Sequence, residues 1–470
     1  MGTECISEPL IFQGPGRREI RADFDGGDIS SDGGALLLRE VEQRTGIIEL
    51  FSQCFDDHRD SRRTEHSVRD LIAQRTFGIA LGYEDLNDHE DLRFDPLLAT
   101  VVGKTDPKGC KRARRRDRGA GLAGKNTLNR IELARTESAV SHRYNRIVLR
   151  EESIDQVFLD VFLQAYDEPP SEIVLDLDAT DDPLHGKQEG RFFHAYYGHY
   201  CYMPLYIFCG DHLLCARLRP SNIDGAAGSV DELARIVPWI RQQWPDVKVI
   251  VRGDSGFCRE EIMAWCEGQA VDFVFGFARN SRLERRVSKL MTKAKRKSKK
   301  TGKPTRYFGE FEYRTRSSWS RSRRVIGKAE YLAKGPNPRF IVTSLRRGKI
   351  GRKKLYEQVY CARGDMENRI KEQQLYLFAD RTSSSSFRAN QTRLYFSSIA
   401  YLLLEALRRL GLRGTDLARA QCNTIRTKLL KIGAKIRVTV RRIWVSMTQG
   451  CPYANLFRMA AHNLRAPPAS

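Results

Sequence analysis

Between Glu172 and Phe277 the apolar residues come in short runs bounded by acids and turn residues, and this spacing constrains the fold more than any other feature of the chain. Ile173-Val174-Leu175-Asp176-Leu177-Asp178 reads as a buried strand ending in acidic residues. Further strands are expected at 202–209 and 213–218, then a helix at about 229–244. Another strand at 247–252 runs into Gly253-Asp254-Ser255-Gly256. A short helix at 259–267 leads to a fifth strand at 271–277. The order β-β-β-α-β-α-β predicts a mixed α/β core.

The flanking segments follow other periods. Residues 1 to about 20 read as an arm, and from Ser31 to about Arg150 the pattern is helical. Asp32-Gly33-Gly34 precedes a helix start at Ala35, and further helical signals lie at 66–80 and 126–135. Residues 104–118 hold eight Lys/Arg and two Asp. Lys125-Asn126-Thr127-Leu128-Asn129-Arg130 opens either a DNA-reading helix or a plain solvent-facing one. Downstream, residues 282–306 hold twelve Lys/Arg against one acid, Glu284. A solvated, disordered loop and a phosphate-contacting surface are both open readings of that run, and the two are compatible. Strand-like pieces at 306–314, 323–331 and 339–345 follow. From Lys353 to about Arg413 the chain is helical again, interrupted at 383–386, and a short tail with two prolines follows Asn463. The expected segments are therefore 1–150, 165–280, 281–350 and 351–465.

With 80 Lys+Arg against 58 Asp+Glu, the net charge is +22, and the 282–306 run carries half of it. A charge this positive on 470 residues points to a polyanionic partner, most often nucleic acid. The most apolar stretch, 201–210, is far too short to span a bilayer, and the N-terminus does not read as a signal peptide, so no membrane partner is expected. Eleven cysteines are dispersed with no Cys-x-x-Cys, which excludes zinc-ligand spacing and fits reduced thiols in the cytoplasm.

Three carboxylates stand where chemistry is possible. Asp178 ends the first apolar strand, although Asp176, two residues back on the same face, leaves the choice between them open. Asp254 ends a later strand. Glu367 lies in Tyr360-Cys361-Ala362-Arg363-Gly364-Asp365-Met366-Glu367-Asn368-Arg369. Tyr360, Arg363, Glu367, Lys371 and Gln374 are spaced 3, 4, 4 and 3, which puts all five on one face of a helix. Taken singly, each acid reads equally well as turn, cap or ion-pair chemistry. Together, two aspartates on strand ends and a glutamate on a later helix suit two hard divalent ions that activate an attacking oxygen on a phosphodiester.

At these residues the chain resembles the DDE transposases of bacterial insertion sequences, in the cut-and-paste branch with a β-rich insertion and a Tyr-Arg-Glu signature. The resemblance runs from Asp32 to about residue 460. It rests on Leu175–Asp181, on Asp254-Ser255-Gly256-Phe257 and above all on the Tyr360–Arg369 stretch. It implies an α/β fold with a ribonuclease H-like catalytic core, interrupted by a β-rich insertion and preceded by a helical N-terminal DNA-binding domain. It implies Asp178, Asp254 and Glu367 as catalytic metal ligands, holding two Mg²⁺ ions, with Mn²⁺ an alternative. The implied partner is double-stranded DNA, as transposon inverted repeats and target. The implied assembly is a homodimer or larger synaptic complex, nucleoid-associated in a bacterial cytoplasm. Cleavage would pass through a hairpin and end in strand transfer. Tyr360 and Arg363 would contact a phosphate. The family lysine expected seven residues after the glutamate is Gln374 here, and Lys371 is the candidate to replace it. Trp319, the only tryptophan between Trp265 and Trp444, would stack on a flipped base, or else anchor the insertion. His185, seven residues after Asp178, would orient water or DNA, or serve structure alone. The alternative functions are a metal-dependent nuclease without strand transfer and a transposase-derived DNA-binding protein.

Overall fold

A computed structural model of the chain describes residues 9–135 and 146–466. The 136–145 part of the expected helical stretch and the two prolines of the tail lie outside the described residues. The chain falls into two compact units. One comprises the chain up to Gly46, Ser61–Ile131 and the chain from Ala406. The other comprises Ile47–Asp60 and Glu132–Glu405.

The second unit is built on a large mixed sheet. Its strands are β1 (Glu172–Ala179), β2 (Leu205–Cys209), β3 (His212–Arg217), β4 (Lys248–Gly253), β5 (Asp272–Phe277), β6 (Thr305–Tyr313), β7 (Arg323–Leu332) and β8 (Arg339–Thr343). Their order is β3-β2-β1-β4-β5-β8-β7-β6, with the two-residue strand Gly335–Pro336 paired to β7. β4 runs parallel to β1 and β5, whereas β2 is antiparallel to β1 and β3. The five strands expected from the apolar runs thus form the β3-β2-β1-β4-β5 portion. Alternation along β4 feeds two cores, as Val249 and Val251 pack on one face and Ile250 on the other. The first core includes Leu233, Ile236, Val237 and Ile240 of helix α2 (Ser229–Gln243), and Ile262 and Met263 of α3 (Glu260–Gly268). α1 (Glu151–Leu163) adds Leu159 and Phe162.

The strands of the expected insertion continue the core sheet, since β8 pairs with β5 (Val274↔Thr343 through Phe277↔Phe340) and β7 and β6 extend the same sheet. One reading of the segment is corrected. The basic run is not a loop, because 281–301 form one helix, α4 (Ser281–Thr301), capped by the Asn280 side chain on the Arg282 and Leu283 amides. Lys and Arg are good helix formers, and Leu283, Val287 and Ala294 supply a buried stripe at helical spacing. After β8 come α5 (Gly364–Leu377), which carries Glu367, and α6 (Phe387–Ala406).

In the first unit, helices Ala35–Thr45, Val68–Leu81, Pro96–Val102 and Ala454–Arg465 accompany a three-stranded sheet of Ile29–Ser30, Ala434–Val438 and Ile443–Met447. The Gly33-Gly34 pair is needed there. Both amides donate to carbonyls of Ile432 and Leu430, and a Cβ on Gly34 would lie 1.7 Å from the Leu429 carbonyl oxygen. The expected arm contributes a small hairpin, Leu10–Phe12 with Ile20–Ala22. The helix Lys125–Glu132 buries Leu128 and Ile131 and exposes Asn126 and Arg130.

Candidate active site

The two aspartates of β1 have opposite fates. Asp176 is 3 % exposed, and Arg252, its register partner on β4, grips it with both Nε and Nη2, the latter at 2.6 Å. The same guanidinium donates to the Val359 carbonyl. Burial pushes the Asp176 carboxyl up and the Arg252 hydrogen bonds oppose it. Its two oxygens are committed to the fold.

Asp178 is more open and has no such partner. One oxygen accepts from the Ala179 amide at 3.0 Å, and the nearest cation is Arg363, at 3.7 Å. Burial pushes its carboxyl up to about 7, with Arg363 pulling down and Asp254 and Glu367 adding to the rise. These three acids are far apart in sequence, yet they sense one another here.

Asp254 leaves β4 and caps the turn Ser255–Phe257, accepting the Gly256 amide at 2.7 Å. Glu367 stands in the first turn of α5 and accepts from Arg363 at 2.6 Å. Burial alone would weaken the charge on Arg363, but Asp178, Glu367, Tyr360 and Asp254 together hold its proton more tightly than usual. The expectation of a phosphate contact thus meets an arginine already engaged by the acids.

The helical face counted from the sequence is not regular. Leu355–Tyr360 forms a wide π-type turn and Cys361–Arg363 a tight 3₁₀ turn before α5 begins, irregularities that recur at functional sites. Tyr360 is turned inward by them. A Cβ on Gly276 of β5 would lie 2.6 Å from the Tyr360 hydroxyl, 2.8 Å from the Ser255 nitrogen and 3.1 Å from the Asp254 carbonyl carbon. Glycine at 276 therefore lets the phenol and the Asp254 turn close on β5. Gln374 donates to the Asp181 carbonyl at 3.1 Å, tying α5 to the segment after β1, and Lys371 is exposed. His185 is exposed.

Trp319 is a correction. It is 4 % exposed, packed against Phe277 (4.9 Å between centroids) and Tyr313 (5.9 Å), with the Arg323 guanidinium 5.5 Å from its ring. Its ring faces are covered, so a base cannot stack on it in this arrangement. The polar neighbours in the sequence misled here, because the indole points inward while the serines and arginines beside it face out.

Sequence reasoning passed over Arg252, Gly276 and an aromatic cluster on the small sheet between β1 and β2. There Phe193 is 57 % and Tyr196 85 % exposed, and the phenol of Tyr197, pushed up to about 12 by burial, also feels Asp181 and Asp178. The run Phe192-Phe193-His194-Ala195-Tyr196-Tyr197 was the available signal.

The donor chemistry suits a divalent cation, since hard oxygen donors on two strand ends and a helix outnumber the single guanidinium among them. Among the described residues, however, no three His, Cys, Asp or Glu side chains close to metal-ligand spacing. The acids stand around Arg363 instead. Every cysteine among the described residues is free. No helix among the described residues is long and apolar enough to cross a membrane.

Residues 12–469 match the family described as Transposase DDE domain group 1. No curated protein matches the chain. Among solved structures, a cryo-EM structure of piggyBac transposase, in a synaptic complex with hairpin DNA, is similar over 93 % of this chain and 83 % of that one. The identity is 10 % and the TM-score 0.37.

Proposed function

The chain belongs to the DDE transposase family, and from that premise we propose that it is an active transposase. It binds the terminal inverted repeats of a bacterial insertion sequence as a dimer or larger complex, cleaves DNA there through a hairpin, and joins the freed 3′ ends to target DNA. It acts in the cytoplasm, on the nucleoid. The catalytic core is ribonuclease H-like, a reading supported by the β3-β2-β1-β4-β5 order with β2 alone reversed between β3 and β1.

The observation that carries the proposal is that Arg363 pairs with Glu367 at 2.6 Å and lies 3.7 Å from Asp178, with Asp254 near enough to act electrostatically on both Arg363 and Asp178. Asp178, Asp254 and Glu367 would hold Mg²⁺, or Mn²⁺. Bound divalent ions would supply activation of the attacking water or 3′-hydroxyl and charge stabilisation on the leaving oxygen. The chain's own residues do the positioning. Arg252 neutralises Asp176, so Asp178 is the β1 carboxylate available to the site. Tyr360 and Gly276 fix the Asp254 turn. Arg363 pairs with Glu367 and stands near Asp178, and with those acids engaged by a divalent ion its guanidinium would be available to a DNA phosphate. Gln374, in place of lysine, keeps the segment after β1 in register with α5.

A strand-resolved cleavage assay tests this. Labelled duplex carrying a repeat and its flank is incubated with Mg²⁺ or EDTA, using the wild type and Glu367→Ala. Metal-dependent nicking at the repeat boundary, then a hairpin, both lost in the variant, is the expected result. Salt-sensitive binding with no cutting in Mg²⁺ or Mn²⁺ overturns the proposal.

A further inference from the structure

The densest charge in the molecule lies on one helix, and the structure shows how it is held. α4 lays Leu283, Val287, Leu290 and Ala294 along the β6–β7 hairpin. Two glycines paired across the strands, Gly309 and Gly327, make room for it. A Cβ on Gly327 would lie 2.5 Å from the Val287 side chain, and one on Gly309 3.0 Å from Leu290. Arg282, Arg286 and Lys293 extend over the rings of Tyr313, Phe311 and Tyr307, so the helix runs lengthwise and antiparallel to β6. Apolar stripe, glycine pair and aromatic row fix both the position and the rotation of α4.

That rotation leaves Arg285, Lys289, Arg296 and Lys300 on the solvent side of the helix. The four are spaced 4, 7 and 4, lie off the apolar stripe and are all exposed. Among the described residues, no carboxylate comes within ion-pair distance of any basic residue of α4. The one acid on the helix, Glu284, sits in its first turn. The outer face has no Asn or Gln, the side chains that read adenine edges; it offers charge and two small hydroxyls, Ser288 and Thr292. Its 21 residues span about 31 Å, close to one turn of duplex, about 34 Å.

We propose that the outer face of α4 is a sequence-independent rail for the phosphate backbone of duplex DNA. Arg285, Lys289, Arg296 and Lys300 each contact a backbone phosphate. A rigid row of unpaired cations meets a rigid row of anions there, with counterion release as the driving force. This rests on the transposase reading and adds to it a second contact surface. DNA whose sequence the enzyme does not choose, such as flank or target, can be held there.

The test compares the wild-type protein with Arg285→Gln/Lys289→Gln/Arg296→Gln/Lys300→Gln. Glutamine keeps helix propensity and lies outside the packed stripe. Circular dichroism and melting confirm that the fold is retained. Affinity for a repeat duplex and for an unrelated duplex of equal length is measured against salt. The expected result is a log–log salt slope shallower by about 3 to 4, at about 0.9 per lost phosphate contact, with the same fold-loss for both duplexes. Single variants Lys289→Gln and Arg296→Gln should each lower the slope by about 1, which covers the case where the quadruple variant misfolds. An unchanged slope, or a loss confined to the repeat duplex, overturns the rail. A wild-type protein that binds neither duplex contradicts the transposase reading itself, a different failure.

Discussion

Two arginine–carboxylate clusters of the second unit use the same chemistry in different proportions. Near the start of β7, Arg323 sits between Glu260 and Glu267. It donates to both, including Nε to Glu267 at 2.7 Å and Nη2 to Glu260 at 3.1 Å. Trp319 lies beside it, and the guanidinium is almost fully buried. Arg323 satisfies two anions with every arm in use, and Arg321 brings a second cation to within 3.4 Å of Glu267, so charges there balance. In the candidate active site one cation, Arg363, serves three acids, touching Glu367 closely and Asp178 loosely, and it makes no ion pair with Asp254. The first cluster is a fastening. The second gathers three acids from two strand ends and a helix around one cation, with burial raising Asp178 to about 7, and such under-compensated acid is what distinguishes a candidate site from a brace.

The largest expected effect comes from removing one of the three acids. Asp254→Ala should lower metal-dependent cleavage by more than about 100-fold, since even partners one step removed from a metal ligand cost 10–100-fold. Repeat binding by gel shift should stay near wild type. Cleavage at the wild-type rate would remove Asp254 from the site. Next is Gly276→Ala, whose methyl group cannot fit without moving the Tyr360 hydroxyl or the Asp254 turn. A displacement on the order of 1 Å can cost about 100-fold. We expect a fall in cleavage rate with DNA affinity retained, and an unaltered rate would show that the Asp254 turn tolerates the shift.

The brace should respond differently. Trp319→Ala removes a buried indole and should cost about 3–5 kcal/mol of stability, seen as a lower denaturation midpoint. The protein that remains folded should nick and form hairpins in the wild-type proportion. A selective loss of hairpins at unchanged stability would restore Trp319 to the DNA.

The smallest effect is in pH, and the two clusters should show opposite signs. Burial raises the folded Asp178 to about 7, so its folded form holds a proton that the unfolded chain releases near 3.8. Its penalty is absent below that value and grows as pH rises toward 7. For Glu260, burial works against ionisation but the Arg323 and Ser320 hydrogen bonds hold it at about 2. Its contribution is present above its ordinary value of 4.5 and fades as pH falls toward 2. Melting of the metal-free protein should therefore lose part of its decline between pH 4 and 7 in Asp178→Asn. In Glu260→Gln it should lose part of its decline below pH 4.5. Parallel curves for both variants and the wild type would remove the distinction.

The strands of the core were legible because each is a short apolar run with a turn signal at its end, and β1 and β4 were found within a residue or two. The three candidate acids could be picked out for a similar reason, Asp178 near the end of a strand, Asp254 just past one and Glu367 on a helix. What escaped the sequence depends on pairing between distant segments. Arg252 reads as an ordinary basic residue until β1 and β4 lie side by side and bring it to Asp176. Gly276 reads as a weak strand residue until Tyr360 arrives beside it. The basic run looked too charged to be ordered, because the space for its apolar stripe is made by glycines on two strands that follow it. Trp319 failed for the converse reason, since its neighbours in sequence are not its neighbours in space.

The central claim is that Asp178, Asp254 and Glu367 share bound metal. The most direct measurement replaces Mg²⁺ with Fe²⁺ and adds ascorbate and peroxide, so that radicals generated at the bound ion cut the nearby backbone. The account predicts cuts clustered at three places, near residues 178, 254 and 367, suppressed by excess Mg²⁺ and lost in Glu367→Ala. Cuts at only one of those places, or at sites that Mg²⁺ does not protect, would contradict it.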